Sequence, residues 1–410
     1  MKILVVVPFL PFPLISGGHQ GVFNGLSAIP EHVDVILTYP SYTEQDDNEK
    51  HLVSCLKRDI RIIPYKNYRH ARGEKVLEAI YKLKYTIKRL IKGERTNQQT
   101  KAPYEEWLNQ LMPGSEGFIE HINRIIQQEG IDIVQCEMLD TLSLILSLPQ
   151  EVRTIFVHHE LGFVRKGQNT YLQIEPFVGS ANVEINKIIE VDLLNRFDKV
   201  VTVSSIDANK LIAAGVHTPI HASFSVVNTP VSDITESHWS GVLSFIGPEG
   251  HPSNRVGLLW FLDNCWEQLL QANPSYKLRV IGVWTEETRR IMSVRFKNIE
   301  FLGYVADLDS VIRDTVMIVP ITIGSGIRMK ILEACMAGVP VVTTSVGKEG
   351  LPLENETHCF VADTPSQFVD AIGRMAESSL RNRLILAAQN VVKDTYSMTA
   401  LKKDREALYG

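Results

Sequence analysis

The chain is poor in cysteine: five occur in 410 residues, Cys55, Cys136, Cys265, Cys335 and Cys359. No two of them form Cys-x-x-Cys or sit among histidines, so neither a disulfide framework nor a structural zinc site is expected, and a reducing cytosol fits. No run of 18 apolar residues occurs, which excludes a spanning helix from the reading. The opening MKILVVVPFLPFPLISGG places one cation before its apolar run, and Pro8, Pro11 and Pro13 break the helical core an export signal needs. It reads instead as a buried first strand and its loop. Internal repeats, low-complexity tracts, a Ser/His/Asp arrangement and paired carboxylates are also missing. No Asp-x-Asp pair sits in a loop suited to a metal, and QDDNEK at 45–50 reads as a solvated turn, so no metal and no cofactor are expected.

Charge of one sign is concentrated. Residues 57–101 carry 14 Lys and Arg against 4 Asp and Glu, a local +10 inside a total of −5. Within them, EKVLEAIYKLKYTIKRLIKGER at 74–95 sets Val76, Ile80, Leu83, Ile87 and Leu90 at helical spacing, with Lys75, Lys82, Lys88, Arg89 and Lys92 on other faces. Two readings stay open for this basic helical segment. It is a solvated cationic helix packed on its own domain, or it docks on an anionic membrane surface, where each nearby cation contributes about 1 kcal/mol. Nucleic acid is not expected, because no recognition motif accompanies the charge and the rest of the chain is acidic.

Short Val- and Ile-rich runs recur along the chain, each followed by a turn and a helical pattern, as strands buried on both faces of a parallel sheet do. Ile3 to Val7, Val33 to Thr38, Ile131 to Cys136, Thr154 to Val157 and Lys199 to Val203 are the runs of the first half. Val242 to Ile246, Lys277 to Ile281, Ile299 to Leu302, Val316 to Val319 and Pro340 to Thr343 are those of the second. The expected fold class is α/β, two doubly wound Rossmann-like domains facing a cleft. The expected bounds are 1–228 for the first domain, 229–240 for a linker and 241–390 for the second domain, with 391–410 a C-terminal helix that crosses back to the first.

The segment PITIGSGIRMKILEACMAGVPVVTT at 320–344 carries the clearest chemistry. A strand, a glycine loop and a helix from Ile327 to Ala337 would aim the helix N-terminus into the cleft, where free N–H groups and the macrodipole attract an anion. Gly324 and Gly326 let a phosphate approach the backbone, and Arg328 and Lys330 add full charges. Glu333 can then accept hydrogen bonds from paired sugar hydroxyls. A nucleotide diphosphate satisfies all three features. The plainer reading is a partly exposed helix on which Lys330 pairs with Glu333 three residues later, a contact of a few tenths of a kcal/mol. TIFVHHELGF ends a strand with His158, His159 and Glu160; His158 is the favoured ring, though alternation cannot say which of the two faces the cleft. Glu137, at another strand end, is a weaker candidate, and the plain reading of it is a loop acid. SGGHQG lacks the spacing of a dinucleotide fingerprint.

Residues 303–351, GYVADLDSVIRDTVMIVPITIGSGIRMKILEACMAGVPVVTTSVGKEGL, resemble the donor-binding half of GT-B glycosyltransferases of the family 4 type (glycosyl transferases group 1). FIGPEGHPSNRVGLLWFLDNCW at 245–266 resembles the opening of that family's second domain. SGGHQGVFNGL, CEMLD, VHHE, DKVVTVSSIDANKLIAAGV and VVNTP follow in the family's order. The resemblance implies the GT-B architecture and a transferase moving a hexose from a nucleotide diphosphate-sugar to a glycan or lipid-linked acceptor with retention, and the helix terminus and cations are expected to replace a metal at the diphosphate. It implies that Glu333 binds the ribose and that Gly324, Ser325, Gly326, Arg328 and Lys330 surround the diphosphate. Tyr304 and Val305 would contact the base through backbone, Gly17 and Gly18 would lie across the cleft, and His158 or His159 would face the transferred sugar as the catalytic candidate.

Two departures from the family stand out. Ser325 occupies the position of an acid that contacts the donor sugar in many members, and Arg255 is the only cation between Gly247 and Cys265. Such enzymes work by positioning and by stabilising charge on the diphosphate, which needs little general base. The expected location is cytoplasmic, with 57–101 as a peripheral contact to the inner face of the membrane. The alternatives are an epimerase or phosphorylase of the same fold, or a non-catalytic subunit that binds nucleotide-sugar or glycan.

Overall fold

In the computed structural model, residues 1–56, 58–66, 116–164, 176–224, 226–227, 238–305, 307–324 and 326–409 are described. The Val- and Ile-rich runs form strands, because β-branched side chains pack well on a pleated surface covered from both sides. The first sheet contains Lys2–Val6 (β1), Asp34–Thr38 (β2), Arg61–Ile62 (β4), Ile133–Glu137 (β6), Arg153–His158 (β7), Lys199–Thr202 (β8) and Ile220–Ala222 (β9), in the order β4-β2-β1-β6-β7-β8-β9. Pro40–Ser41 (β3) and Tyr65–Lys66 (β5) pair separately. The second sheet contains Val242–Ile246 (β10), Lys277–Ile281 (β11), Ile299–Gly303 (β12), Val316–Val319 (β13), Val341–Thr343 (β14) and Phe360–Val361 (β15), in the order β12-β11-β10-β13-β14-β15. Among the described residues, the strand pairings of both sheets are parallel.

Period-2 alternation sorts each strand between two cores. In the first sheet, Leu4, Val134, Cys136 and Phe156 face helices Glu116–Glu129 and Pro176–Leu194. Ile3, Val5, Ile133 and Val157 face helix α1 (Gly17–Ala28), α2 (Asp46–Leu56) and the final helix of the chain, Met398–Tyr409. The second sheet is covered likewise by Pro252–Phe261 on one side and Met329–Met336 on the other. The last helix thus lies on the first domain, fastened where Asp404 accepts from His221 and Ser223.

Both sheets reverse direction at a switch point, between β1 and β6 in the first and between β10 and β13 in the second. Ligands of open parallel sheets bind at such points, beyond the carboxyl ends of the strands. The loop after β1 and the loop after β13 therefore occupy the functional position in each domain.

The cation-rich segment is described only at its start, residues 58–66. Arg58 donates to the carbonyls of Pro30 and Val33 just past the C-terminus of α1, Arg61 pairs with Glu129, and Lys66 lies 3.3 Å from Asp46. These three cations serve the domain itself. The amphipathic helix expected at 74–95 and most of the linker expected at 229–240 lie outside the described residues.

Candidate active site

The helix after β13 begins at Met329, two residues later than the sequence suggests, with Arg328 at its N-cap. Gly324 and Gly326 hold φ values of +119° and +80°, left-handed conformations that L side chains rarely adopt, and they keep Ile327 and Arg328 in the loop. The Arg328 guanidinium folds back to donate to the Gly326 carbonyl at 2.8 Å. Burial depresses its pKa, opposed by Glu160, Glu349 and Asp207. Two of those three acids, Glu160 and Asp207, belong to the first domain, so this cation faces the gap.

Lys330 does not pair with Glu333 on a surface. Its Nζ donates to Asn254 Oδ1 at 2.7 Å, in the first turn of Pro252–Phe261, and sits 5.0 Å from the centre of the Phe245 ring. Burial, with Arg328 adding to it, lowers its pKa to about 7. The helix Pro252–Phe261, whose one cation is Arg255, is thereby joined to a second supplied by the neighbouring helix. Glu333, in the second turn, is 9% exposed and accepts from Gln20 Nε2 of the first domain at 3.0 Å. Burial raises its pKa, opposed by Gln20 and Lys330.

On the facing side, α1 starts at Gly17 with Ser16 as its cap, the Ser16 side chain accepting from the His19 backbone. Gly17 and Gly18 thus form the first turn of a helix rather than a loop. A Cβ added at Gly17 would lie 3.5 Å from Met329 Cγ, so the N-termini of α1 and Met329–Met336 meet across the two domains. A Cβ at Gly326 would lie 3.1 Å from the His159 carbonyl oxygen, and one at Gly350 3.3 Å from Ser204 Cβ, beside the N-cap of Ser205–Ala214. Lys210 and Glu349 close the junction at 2.7 Å. Helix N-termini carry about half a positive charge each. Two of them meet here, with Arg328 at the cap of one and Lys330 buried behind it, a notch whose charge favours an anion.

The structure separates the two histidines. His158 ends β7 on the face of Phe156, with Nε2 2.8 Å from Glu190 Oε1, and is 2% exposed. The other oxygen of Glu190 accepts from the backbone N–H of Phe163. His158 is therefore part of a clamp on its own loop. His159 lies past the strand end beside α1, where a Cβ at Gly21 would stand 3.0 Å from its Nδ1, and its Nε2 lies 2.9 Å from Glu137 Oε2. Glu137 is not a loop acid: it ends β6, is 1% exposed, and accepts from Gln135 at 2.7 Å.

Tyr304 is 63% exposed just beyond β12, and Val305 packs into the apolar cluster that holds Ile327 and Ile331. Ser325 lies outside the described residues. Gln20, Asn254 and Gln135 are partners that sequence reading misses. Gln135 alone leaves a signal, a polar residue within the apolar run IDIVQCE.

Residues 240–378 match the family model described as Glycosyl transferases group 1. A Klebsiella pneumoniae protein described as an uncharacterized 44.6 kDa protein in the cps region is 24% identical over 389 residues, 90% of each chain. Among solved structures, Anabaena HepE in complex with UDP is 14% identical with a TM-score of 0.65, over all of this chain and 99% of that one. A variant of S. aureus TarM in complex with fondaparinux, α-GlcNAc-glycerol and UDP is 12% identical with a TM-score of 0.69, over 100% and 99%. Sucrose-phosphate synthase from Thermosynechococcus elongatus is 15% identical with a TM-score of 0.69, over 100% and 98%. The two parallel sheets thus have the GT-B fold of these solved structures, and the second domain is the part that matches the glycosyl transferases group 1 family.

Proposed function

We propose that the notch takes the diphosphate of a nucleotide-sugar and that the enzyme transfers the hexose, with retention of configuration and without a metal ion, to a glycan or lipid-linked acceptor. The observation that carries this is the meeting of two helix N-termini at Gly17 and Met329 with Arg328 and Lys330 beside them. The positive ends of the two helices and the two cations beside them favour an anion at this junction. Two helix ends and two cations can neutralise a pyrophosphate, the task a divalent ion performs in other transferases.

Glu333, on the same helix and buried, accepts the ribose hydroxyls in place of the Gln20 amide. The backbone after β12, at Tyr304 and Val305, borders the base. His159 faces the first-domain side, where the sugar and acceptor meet. HepE and the TarM variant are described as bound to UDP, which favours UDP as the nucleotide.

The direct test is a thermal-shift panel of UDP-, GDP- and ADP-sugars. A ligand at 100 times its dissociation constant stabilises the folded state by about 2.7 kcal/mol. Product analysis then reads the anomeric configuration, and an EDTA-treated enzyme that loses turnover would exclude the metal-independent reading. If nucleotide-sugars bind and no acceptor pool yields product, the chain acts as a binding subunit.

The acceptor is proposed to be presented at the inner face of the membrane, with the protein in the cytoplasm and residues 57–101 as its contact. No helix among the described residues is long and apolar enough to cross a membrane. Co-sedimentation with anionic but not neutral vesicles, lost when Lys82, Lys84, Lys88 and Arg89 become glutamine, supports the contact. Equal recovery in both supernatants ends it.

A further inference from the structure

The two domains already touch where a donor would have to lie. Gln20 Nε2 donates to Glu333 Oε1 at 3.0 Å, and at the rim Lys210 Nζ, 30% exposed, donates to Glu349 Oε1 at 2.7 Å. In the direction a Cβ would take, Gly17 has 3.5 Å to Met329 Cγ and Gly326 has 3.1 Å to the His159 carbonyl oxygen. The first distance is ordinary contact for one methyl group, and the second is tighter. A phosphate, with its ring of oxygens, is bulkier than a methyl group and does not fit between Gly17 and Met329 at this spacing. A carboxylate that takes both hydroxyls of a ribose uses both of its oxygens, and Gln20 already holds one of those of Glu333.

The backbone offers a pivot for the opening this requires. The chain leaves the first domain after Ile220–Ala222 and returns to it between helices Ser378–Thr395 and Met398–Tyr409. These two crossings lie side by side, since the rings of Phe224 and Tyr396 meet edge to face with centres 5.9 Å apart. Small φ/ψ changes at a few such element ends rotate one domain against another.

We propose that the first domain is autoinhibitory: Gln20, with Lys210 at the rim, holds the notch shut, and a nucleotide has to part the domains to enter. Hinged domains ordinarily close around a ligand; here the bound form is the more open one. The identity of the ligand rests on the transferase reading above, whereas the contacts that shut the gap do not. A site that is competent in a fraction of the molecules binds with its dissociation constant divided by that fraction. Removing the Gln20 amide takes a donor from Glu333 in the shut form, so it raises the fraction that is open.

The test is small-angle X-ray scattering of the full chain, first without nucleotide. Gln20→Ala combined with Lys210→Ala should give a larger radius of gyration than the wild type, and an equal radius overturns the proposal. If that variant does not fold, Lys210→Glu sets a like charge against Glu349 and should open the same gap; an unchanged radius there overturns it too. The second arm adds whichever of UDP, GDP and ADP binds tightest by calorimetry. It should raise the radius of the wild type, and Gln20→Ala should bind it more tightly, by up to about tenfold. A radius that falls or stays the same on binding, or a weaker affinity in Gln20→Ala, overturns the proposal. If none of the three nucleotides binds either protein, the nucleotide-sugar reading fails, while the scattering of the nucleotide-free variants still decides whether Gln20 and Lys210 hold the domains shut.

Discussion

The side-chain amide of Gln20 donates to the Glu333 carboxylate at 3.0 Å, joining the first turn of α1 to the second turn of Met329–Met336 across 313 residues of chain. With no nucleotide bound, the first domain supplies the donor that a ribose hydroxyl would supply. Glu333→Gln tests this exchange. A buried carboxylate is costly, so the neutral amide should hold or raise the melting temperature. The lost charge-assisted hydrogen bonds should weaken nucleotide binding by about 1.5 to 3 kcal/mol, roughly 10- to 150-fold. Melting curves and calorimetric titration read the two effects separately. Equal affinity in both proteins would place the ribose elsewhere.

Lys330 gives the site a pH dependence. Its pKa falls from 10.5 to about 7 on folding, so between those values the unfolded chain binds a proton that the folded one does not. The empty protein should therefore lose stability as pH drops from 10.5 to about 7 and level off below. A diphosphate favours the ammonium form, so binding above about pH 7 takes up a proton, and affinity falls by up to about tenfold per pH unit. Lys330→Met should flatten both slopes. Titrations in buffers of different ionisation enthalpy count the proton directly, and an affinity that ignores pH in the wild type would remove Lys330 from the diphosphate.

Gly21 lies inside α1, where exchanging glycine for alanine ordinarily gains up to about 1 kcal/mol. Here an added Cβ would stand 3.0 Å from Nδ1 and 3.2 Å from Cε1 of His159. Overpacking of that kind costs about 1 to 3 kcal/mol. Gly21→Ala should melt at or below the wild-type temperature and turn over more slowly as His159 is pushed from Glu137. A rise in melting temperature would mean the ring has room to spare.

The sheet cores were legible in the sequence, because a strand buried on both faces leaves an apolar run that little else imitates. Val242 to Ile246 and Val316 to Val319 match the observed strands residue for residue. Edge strands of two or three residues, such as Arg61–Ile62, Ile220–Ala222 and Phe360–Val361, are too short to show any period. The glycine loop, the cations and Glu333 were visible as charges where a core helix has no use for them. Their partners were not. Gln20 and Asn254 meet Glu333 and Lys330 only through the fold, and the helix start at Met329 depends on two left-handed glycines whose φ angles no spacing reveals. His158 and His159 could not be separated by alternation, since the second lies past the strand end where period 2 stops.

The claim on which the rest depends is that Arg328 holds a diphosphate between the two domains. Calorimetric titration of whichever of UDP, GDP and ADP binds tightest, against the wild type and Arg328→Ala, tests it most directly. The account predicts that the variant stays folded and binds roughly 10- to 150-fold more weakly, the effect of about 1.5 to 3 kcal/mol expected for a hydrogen bond to a charged group. Affinities within twofold of each other in two folded proteins would contradict it.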